Sequence, residues 1–456
     1  MNISDFYKTD FCNYGSYDNY RKIGSIIDGL KPSGRKCIYT VLKNNISTPK
    51  KVAQLKSKAA EETNYLHGDD ALAGVIVGLA QNFTGSNNIP LLQREGAFGS
   101  RLIPEAAAPR YIFTCKEPYL DKIFRAEDEK ILIQQEFEGD VIEPKYYVPV
   151  IPLLVVNGSR GITTGFSQKI LPRDIDEVIN YLECKLTGKK FKGKLFPSFN
   201  GFKGNITKNT SKDNDASFYI VGKYNKINAN KIEITEVPID YTLEMYLKEL
   251  DKLEAAKKIK DYHDFSENSE FKIEVTFWRN QDQGLSIDSK NLLTELKLVD
   301  PVTENYTSMD ENNKVIEYKS IFEIIDNYYD VRLQYYDKRK KYLIKTLTNK
   351  ILESYSKYLF IKGVIEKSII ISNKSDEDIT KQLEKIDKII KIDDSYNYLL
   401  NMPMKSITKV HYEKLKEAIK AMKDELINLK NKKIEDMWLD DLSELKIALK
   451  KNKKGN

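Results

Sequence analysis

Residues 66–113, LHGDDALAGVIVGLAQNFTGSNNIPLLQREGAFGSRLIPEAAAPRYIF, decide the fold of this chain. Asp69 and Asp70 favour the beginning of a helix, because carboxylates are stabilised at the positive end of the helix dipole. Apolar residues then recur at the spacing of one buried helix face, at Leu72, Val75, Ile76 and Leu79. Residues 84–88, TGSNN, end this helix. The stretch therefore predicts a short helix followed by glycine-bracketed loops.

The end of this stretch places Arg110 directly beside Tyr111. A tyrosine hydroxyl is a poor nucleophile because its ordinary pKa is about 10, so catalysis requires a cationic neighbour, a base or a metal. Arg110 supplies positive charge and a fork that fits phosphate. His67, one of three histidines, is a second candidate donor to a phosphate. From the residues alone a packing role for Tyr111 remains open, since the chain has 28 tyrosines.

Four motifs in this order, HGD, AQNFTGSNN, GAFGSR and AAAPRYIF, resemble the DNA breakage-reunion region of type IIA topoisomerases. The sequences of these motifs are closer to the eukaryotic and large-virus forms than to bacterial gyrase. The resemblance implies that Tyr111 attacks the DNA backbone and becomes joined to a 5′-phosphate. It also implies that Arg110 is the partner of this tyrosine and that His67 lies in the cleavage site.

A basic cluster, Lys31, Arg35 and Lys36, lies in the segment DGLKPSGRK, where Pro32 suits a first helical turn. Phosphate binding at a helix N-terminus is physically favoured, although a solvated basic face is the ordinary alternative. The segment resembles a box of the same family, which implies a cleavage-site role for Arg35 and DNA contacts for Lys31 and Lys36. The next segment, KVAQLKSKAAEE, predicts an amphipathic helix, and the successive helices suggest a winged-helix (helix-turn-helix) core.

The segment after residue 145 joins an apolar run to a glycine-rich sequence. Residues 151–156 predict a buried strand, and NGSRGITTG predicts a loop that lacks the ending of a nucleotide-binding P-loop. The family resemblance implies that Ile162 wedges between base pairs and bends the DNA; a buried Ile162 is the alternative. The triplet EGD at 138–140 is interpreted as a polar loop rather than a metal-binding carboxylate.

Residues 176–317 have the helix and strand patterns of an α+β domain, and long helices follow. Leu415, Ile419, Met422, Leu426 and Leu429 repeat at spacings of 4, 3, 4 and 3, a heptad seam. The predicted fold is an α+β multidomain protein. Together with the family resemblance, this pattern implies a winged-helix DNA-cleavage domain at 1–135, an α/β tower domain at 136–317, and at 318–456 a long antiparallel coiled-coil arm with a dimerising exit gate.

Composition mainly argues against certain classes of protein. The 456 residues carry a net charge of +6, which is weak evidence for nucleic acid by itself. The four cysteines lack CxxC spacing, which favours reduced thiols and argues against zinc. We find no membrane-spanning run and no targeting signal, so an intracellular location, in host cytoplasm or nucleoid, is expected, with no membrane partner.

The resemblance thus implies the DNA-cleaving subunit of an ATP-dependent type IIA topoisomerase that relaxes and decatenates double-stranded DNA. We find no TOPRIM acidic set and no ATP-binding domain in the sequence, so no metal ligand is assigned. Mg²⁺ and ATP are both expected on a separate TOPRIM/ATPase subunit, with which a homodimer forms a heterotetramer, as in T4-like phages. Two alternatives are a non-catalytic DNA-binding or architectural protein and a coiled-coil scaffold.

Overall fold

The computed structural model describes residues 2–210, 216–279, 284–371, 374–386, 388–403 and 407–455. They form two compact units, one of Met1–Arg332 with Leu439–Asn456 and one of Leu333–Trp438. The three predicted domains and the two boundaries between them stay a prediction. No helix of the described residues is long and apolar enough to cross a membrane.

The described helices are Ile3–Phe6, Cys12–Lys22, Pro32–Lys43, Val52–Glu62, Asp70–Ala80, Leu120–Ile123, Leu153–Asn157, Ile175–Leu186, Leu243–Ala255, Leu292–Glu295, Ile321–Ile365, Asp376–Glu384, Asn397–Leu400, Lys409–Asn431 and Ile434–Gly455. A π-helical segment, Tyr7–Phe11, and a 3₁₀ segment, Ala126–Ile131, complete them. The described strands are Lys50–Lys51, Phe113–Thr114, Glu136–Phe137, Asp140–Val141, Ser159–Ile162, Ser167–Ile170, Asn205–Lys208, Ser217–Val221, Lys223–Asn228, Lys231–Glu236, Asp261–Asp264, Ile273–Thr276, Val299–Thr303, Thr307–Met309 and Val315–Glu317.

Three helices, Pro32–Lys43, Val52–Glu62 and Asp70–Ala80, pack against one another. The first begins at Pro32, whose missing N–H costs nothing in a first turn. The helix Asp70–Ala80 buries Leu72, Ala73, Ile76 and Ala80. The predicted apolar face is therefore present, although Val75 and Leu79 are only half-buried.

Two antiparallel sheets form the middle of the chain. The larger has four strands in the order Asp261–Asp264, Ile273–Thr276, Lys231–Glu236 and Lys223–Asn228. The smaller has three, in the order Val299–Thr303, Ser217–Val221 and Asn205–Lys208. Thr242 caps the helix Leu243–Ala255, whose buried Tyr246 and Leu250 pack with the larger sheet in one apolar core.

The second unit contains two helices that run antiparallel. Lys340 Nζ donates to the carbonyl oxygen of Lys430 at 2.9 Å, and further along the Tyr358 ring stacks on Tyr412 with centroids 4.7 Å apart. The five heptad residues predicted between 415 and 429 are the less exposed stripe of the Lys409–Asn431 helix. Met404, Lys405 and Ser406 of the predicted gate segment lie outside the described residues.

Two local predictions between residues 151 and 170 are wrong. Residues 151–156 were expected as a strand, but Leu153–Asn157 is a buried helix that follows Pro152. A short apolar run fits both structures, and proline at the start favours the helix. The glycine-rich segment is not a loop throughout: Ser159–Ile162 pairs with Ser167–Ile170 as an antiparallel hairpin. Glu138 and Gly139 of the triplet EGD form the polar turn of another short hairpin, and Asp140 begins its second strand.

Candidate active site

Tyr111 lies on a turn, and its side chain faces solvent. Its backbone N–H donates to the Ala108 carbonyl oxygen at 2.9 Å, and the next residue, Ile112, is fully buried. Tyr111 is 68% exposed, more than any other tyrosine of the chain, the next being Tyr14 at 59%. A tyrosine that served packing would be buried, so this turn presents the hydroxyl outward.

The turn is held by the helix Val52–Glu62. The first two N–H groups of that helix have no partner within the helix and no capping side chain. Val52 N donates to Ile112 O at 3.0 Å, and Ala53 N donates to Pro109 O at 3.1 Å. The helix end and the turn therefore satisfy each other, which fixes the backbone on both sides of Tyr111.

Arg110 lies beside the Tyr111 ring, with its guanidinium carbon 5.4 Å from the ring centroid. The arginine is exposed, and no hydrogen bond or ion pair to its guanidinium is found among the described residues. Its N–H groups are thus available to an incoming phosphate, which a guanidinium binds in bidentate geometry. The cation also lies close to where a phenolate would develop.

His67 lies between the helices Val52–Glu62 and Asp70–Ala80 and is half-buried. Its Nε2 is 2.8 Å from the Tyr17 hydroxyl oxygen. The Tyr65 ring meets the imidazole edge-on, with centroids 5.4 Å apart. Two aromatic neighbours therefore fix the ring, and Nδ1 is the nitrogen left for another partner.

Arg35 is buried, at 3% exposure, and is paired with Asp28, which is fully buried. Arg35 Nε donates to Asp28 Oδ2 at 2.7 Å and Nη2 donates to Oδ1 at 3.1 Å. Burial lowers the pKa of Arg35, but the Asp28 carboxylate outweighs burial and the pKa is raised. Nη1 is buried and has no hydrogen-bond partner among the described residues. A phosphate could reach this guanidinium only after the cluster opened.

Lys31 and Lys36 are also engaged inside the protein. Lys31 Nζ donates to the Arg160 carbonyl oxygen at 2.7 Å, and burial lowers its pKa. Lys36 Nζ pairs with the Glu143 carboxylate at 2.9 Å and donates to Thr63 O at 2.8 Å. Burial raises the pKa of Glu143, and Lys36 opposes that effect. The structure therefore shows protein contacts for both lysines, and their DNA contacts stay a prediction.

Ile162 ends the first strand of the Ser159–Ile162 hairpin and is 82% exposed. The alternative that Ile162 is a core residue is thereby excluded. Phe166, across the turn, is 47% exposed, and Thr163 N donates to its carbonyl oxygen at 3.0 Å. The hairpin thus presents two apolar side chains at its tip.

The described hydrogen bonds and ion pairs join neither Arg35 nor His67 to Arg110 or Tyr111. The structure instead places the predicted residues on neighbouring elements of one helical core: the Tyr111 turn is bonded to the helix that precedes His67, and Arg35 lies on the helix packed beside it. The predicted residues therefore lie in one helical core, with Tyr111 and Arg110 exposed and Arg35 buried, and are not joined to one another by hydrogen bonds among the described residues.

The family profile for the A subunit of DNA gyrase/topoisomerase IV matches residues 21–443. The chain belongs to this family. The match includes the tyrosine turn, the His67 segment, the basic helix and the Ile162 hairpin. The resemblance to the breakage-reunion region of type IIA topoisomerases is thus confirmed, and the mixed α/β architecture agrees with it.

Curated relatives of the family cover almost the whole chain. A mitochondrial DNA topoisomerase 2 of Dictyostelium discoideum is 34% identical over 99% of this chain and 35% of its own length. A DNA topoisomerase 2 of Invertebrate iridescent virus 6 is 32% identical over 98% of this chain and 39% of its own length. The chain spans between a third and two fifths of the length of these relatives.

A solved family structure extends the comparison to the fold. The crystal structure of the Plasmodium falciparum topoisomerase II DNA-binding, cleavage and re-ligation domain matches with a TM-score of 0.88 and 32% identity. The match covers 100% of this chain and 65% of that chain. The similarity therefore includes both sheets and the antiparallel helices as well as the tyrosine turn.

Sequence reasoning within this family missed the partners of the predicted residues. The pattern of DGLKPSGRK singles out only its basic cluster and Pro32, yet Asp28 of that segment is the buried acceptor for Arg35. Motif resemblance assigns no role to Tyr17 or Asp18, yet they contact His67 and the Ile162 hairpin. A signal for their placement is the helical spacing of Tyr14, Tyr17 and Arg21, which all lie in the helix Cys12–Lys22.

Proposed function

We propose that this chain is the DNA-cleaving part of an ATP-dependent type IIA topoisomerase, which breaks both strands of one duplex for the passage of another. The observation that carries the proposal is Tyr111: the most exposed tyrosine lies on a turn fixed by hydrogen bonds, with an unpaired arginine beside it. The proposed outcome is relaxation and decatenation of DNA.

The proposed chemistry is a reversible exchange of phosphate esters. The Tyr111 oxygen attacks a backbone phosphorus, the new bond joins tyrosine to the 5′-phosphate, and the bond to the 3′-oxygen breaks. The phenol loses its proton, and the departing oxygen gains one as a 3′-hydroxyl. One phosphodiester replaces another, so resealing needs no external energy. One Tyr111 in each protomer acts on each strand.

The groups around Tyr111 are suited to the anionic transition state. Arg110 would bind the non-bridging phosphate oxygens, and His67 would donate a further hydrogen bond from the nitrogen that Tyr17 leaves open. Stabilising the charge that develops in the transition state is the largest contribution to the rate enhancement of many enzymes. Arg35 belongs to the proposed set through Nη1, which Asp28 does not bind and which DNA binding would have to expose, since it is buried.

The side chains near Tyr111 do not fit a metal ion. Its immediate neighbour is a cation, and no group of three or more His, Cys, Asp or Glu residues among those described is arranged to hold a metal. Phosphoryl transfer ordinarily uses a divalent cation. We therefore propose that Mg²⁺ and ATP are bound by TOPRIM and ATPase regions outside the described residues, on a partner subunit or on another part of a longer chain.

The remaining parts of the proposal concern DNA shape and assembly. The exposed Ile162 would enter a base step and bend the duplex, with Lys31 and Lys36 near the backbone. The three packed helices would form the winged-helix core, the two sheets the tower, and the antiparallel helices a coiled-coil arm. Exposed apolar residues in the second unit, including Val410 at 67%, suit a homodimer contact there.

The test is cleavage of end-labelled supercoiled plasmid with Mg²⁺ and a candidate TOPRIM/ATPase partner, stopped with detergent. Wild-type protein should become linked to 5′ ends. Tyr111→Phe should remove the link and retain DNA binding. Tyr14→Phe is the matched control, because Tyr14 is the next most exposed tyrosine.

The outcomes separate the two main functions. A 5′ link that depends on Tyr111 and not on Tyr14 supports the cleavage function. A link that survives in Tyr111→Phe would show that the nucleophile is misassigned. DNA binding without a covalent product under any condition would instead support the non-catalytic, architectural protein.

A further inference from the structure

The Ile162 hairpin is fastened to the protein differently at its base and at its tip. At the base the buried Gln168 accepts from Gly24 N at 2.9 Å and donates to Thr307 O at 2.8 Å. Gly161 approaches so closely that a Cβ there would lie 2.3 Å from the Lys22 carbonyl oxygen. The base is therefore rigid, but these contacts lie below the exposed tip.

The tip itself is held by one carboxylate. Asp18, on the helix Cys12–Lys22, accepts from Thr164 N at 3.0 Å and from Thr164 Oγ1 at 3.2 Å through the same oxygen, Oδ2. Within the described part of the chain these two hydrogen bonds are the only ones between the turn 163–166 and another element. The other carboxylate oxygen, Oδ1, pairs with Lys22 Nζ at 2.7 Å.

The identity of this residue is informative because of where it lies. A carboxylate near a DNA-facing tip repels phosphate and so works against binding. Its hydrogen bond with Lys22 lowers the pKa of Asp18, which keeps it charged at neutral pH. The two hydrogen bonds that Asp18 accepts from Thr164 give a geometric reason for a carboxylate at this position.

We propose that Asp18 is a positioning residue for the apolar tip, holding Ile162 and Phe166 against the recoil of a bent duplex. The inference rests on the proposed DNA bending by Ile162. A duplex resists bending. A side chain inserted between its base pairs transmits that resistance to the turn that carries the side chain. A tip released from Asp18 would yield, and the DNA would straighten while remaining bound.

The test is DNA bending by the full chain, with Mg²⁺ and the TOPRIM partner that supports cleavage. A short duplex carries a fluorescence donor at one end and an acceptor at the other, so bending raises energy transfer. Asp18→Ala should lower the ratio of bent to unbent complexes at least about fivefold, because it removes two hydrogen bonds to Thr164 and the loss of one of ordinary strength corresponds to about fivefold. Asp18→Asn keeps an acceptor for Thr164 N and should bend DNA nearly as wild type does.

Two further variants separate position from charge and from folding. Asp10→Ala removes the same charge from an exposed residue in the segment Tyr7–Phe11, which precedes the helix of Asp18, and should leave bending unchanged. Thr164→Val removes the hydroxyl donor from the hairpin side, without altering the helix, and should lower bending less than Asp18→Ala does. Thermal unfolding of each variant identifies any that fails to fold.

The inference is overturned if Asp18→Ala bends DNA as Asp10→Ala does, or if Asp18→Asn and Asp18→Ala lose bending equally, since charge would then be the cause. A different result identifies failure of the underlying function. If wild type does not bend DNA, or if Ile162→Ala bends it normally, the wedge itself is disproved, and the role of Asp18 falls with it.

Discussion

Replacing Arg35 by methionine tests how the buried Asp28–Arg35 pair relates to the candidate site. The change would leave the fully buried Asp28 carboxylate with two backbone donors, Leu30 N and Tyr147 N, each at 3.0 Å. Breaking a buried ion pair by removing one partner costs about 3–5 kcal/mol. We therefore expect Arg35→Met to destabilise the helix that begins at Pro32.

Hydrogen–deuterium exchange of the amides in that helix measures this loss locally. A loss of that size speeds exchange by roughly a hundredfold to a few thousandfold, up to the limit set by global unfolding. The double variant Asp28→Asn/Arg35→Met removes the uncompensated charge and should recover most of the protection. An increase below about fivefold in Arg35→Met would refute the energetic reasoning, since it corresponds to about 1 kcal/mol.

The same double variant separates structure from chemistry. If Arg35 contacts the phosphate as proposed, the double variant regains protection but still cleaves DNA poorly. Cleavage at the wild-type rate in a double variant that has regained its protection would show that Arg35 acts through stability alone.

Three other predictions concern DNA shape, assembly and acid stability. Ile162→Ala should lower the ratio of bent to unbent DNA about thirtyfold, since burying an isoleucine contributes about 2 kcal/mol; unchanged energy transfer in the bending assay would contradict this. Val410→Asp should weaken the dimer at least about thirtyfold in light scattering, and an unaltered mass would exclude Val410 from the interface. Hydrogen bonds from Lys122 and Arg125 lower the pKa of Glu444 to about 2. Their stabilisation is present above the ordinary pKa of about 4.3 and is lost as pH falls towards about 2. The urea midpoint should therefore fall less on acidification in Glu444→Gln than in wild type, and equal falls would disprove the coupling.

Local pattern was sufficient for much of the fold. Pro32 and the Asp69–Asp70 pair marked helix starts that the structure has. The pattern after residue 176 predicted helices and strands, and the structure has there the strand Lys231–Glu236, whose buried face is Ile232 and Ile234. In each case the residues that define the element are neighbours in sequence, so the sequence is enough.

The wrong predictions concern segments whose secondary structure is decided by tertiary contacts. The run 151–156 is apolar whether it forms a strand or a helix, and only its packing after Pro152 distinguishes the two. The glycines around Ile162 suggested a loop, but Gly161 is small because the strand passes against the Lys22 carbonyl. That contact joins elements far apart in the chain.

The candidate site shows the same division. Motif resemblance identified Tyr111, Arg110, His67 and Ile162, and the structure shows Tyr111 and Ile162 exposed. The resemblance did not indicate that Arg35 would be paired with the buried Asp28. An arginine in a basic cluster has the same sequence pattern whether its side chain is buried or solvated. Pairing with a distant acid is a property of the fold.

The central claim is that the Tyr111 oxygen forms the bond to DNA, and mass spectrometry of the trapped complex tests it most directly. The complex is digested with nuclease and protease, and the peptide that retains a nucleotide is sequenced. The account predicts a 5′-linked nucleotide on Tyr111. A nucleotide on any other residue, or a 3′ linkage, would contradict it.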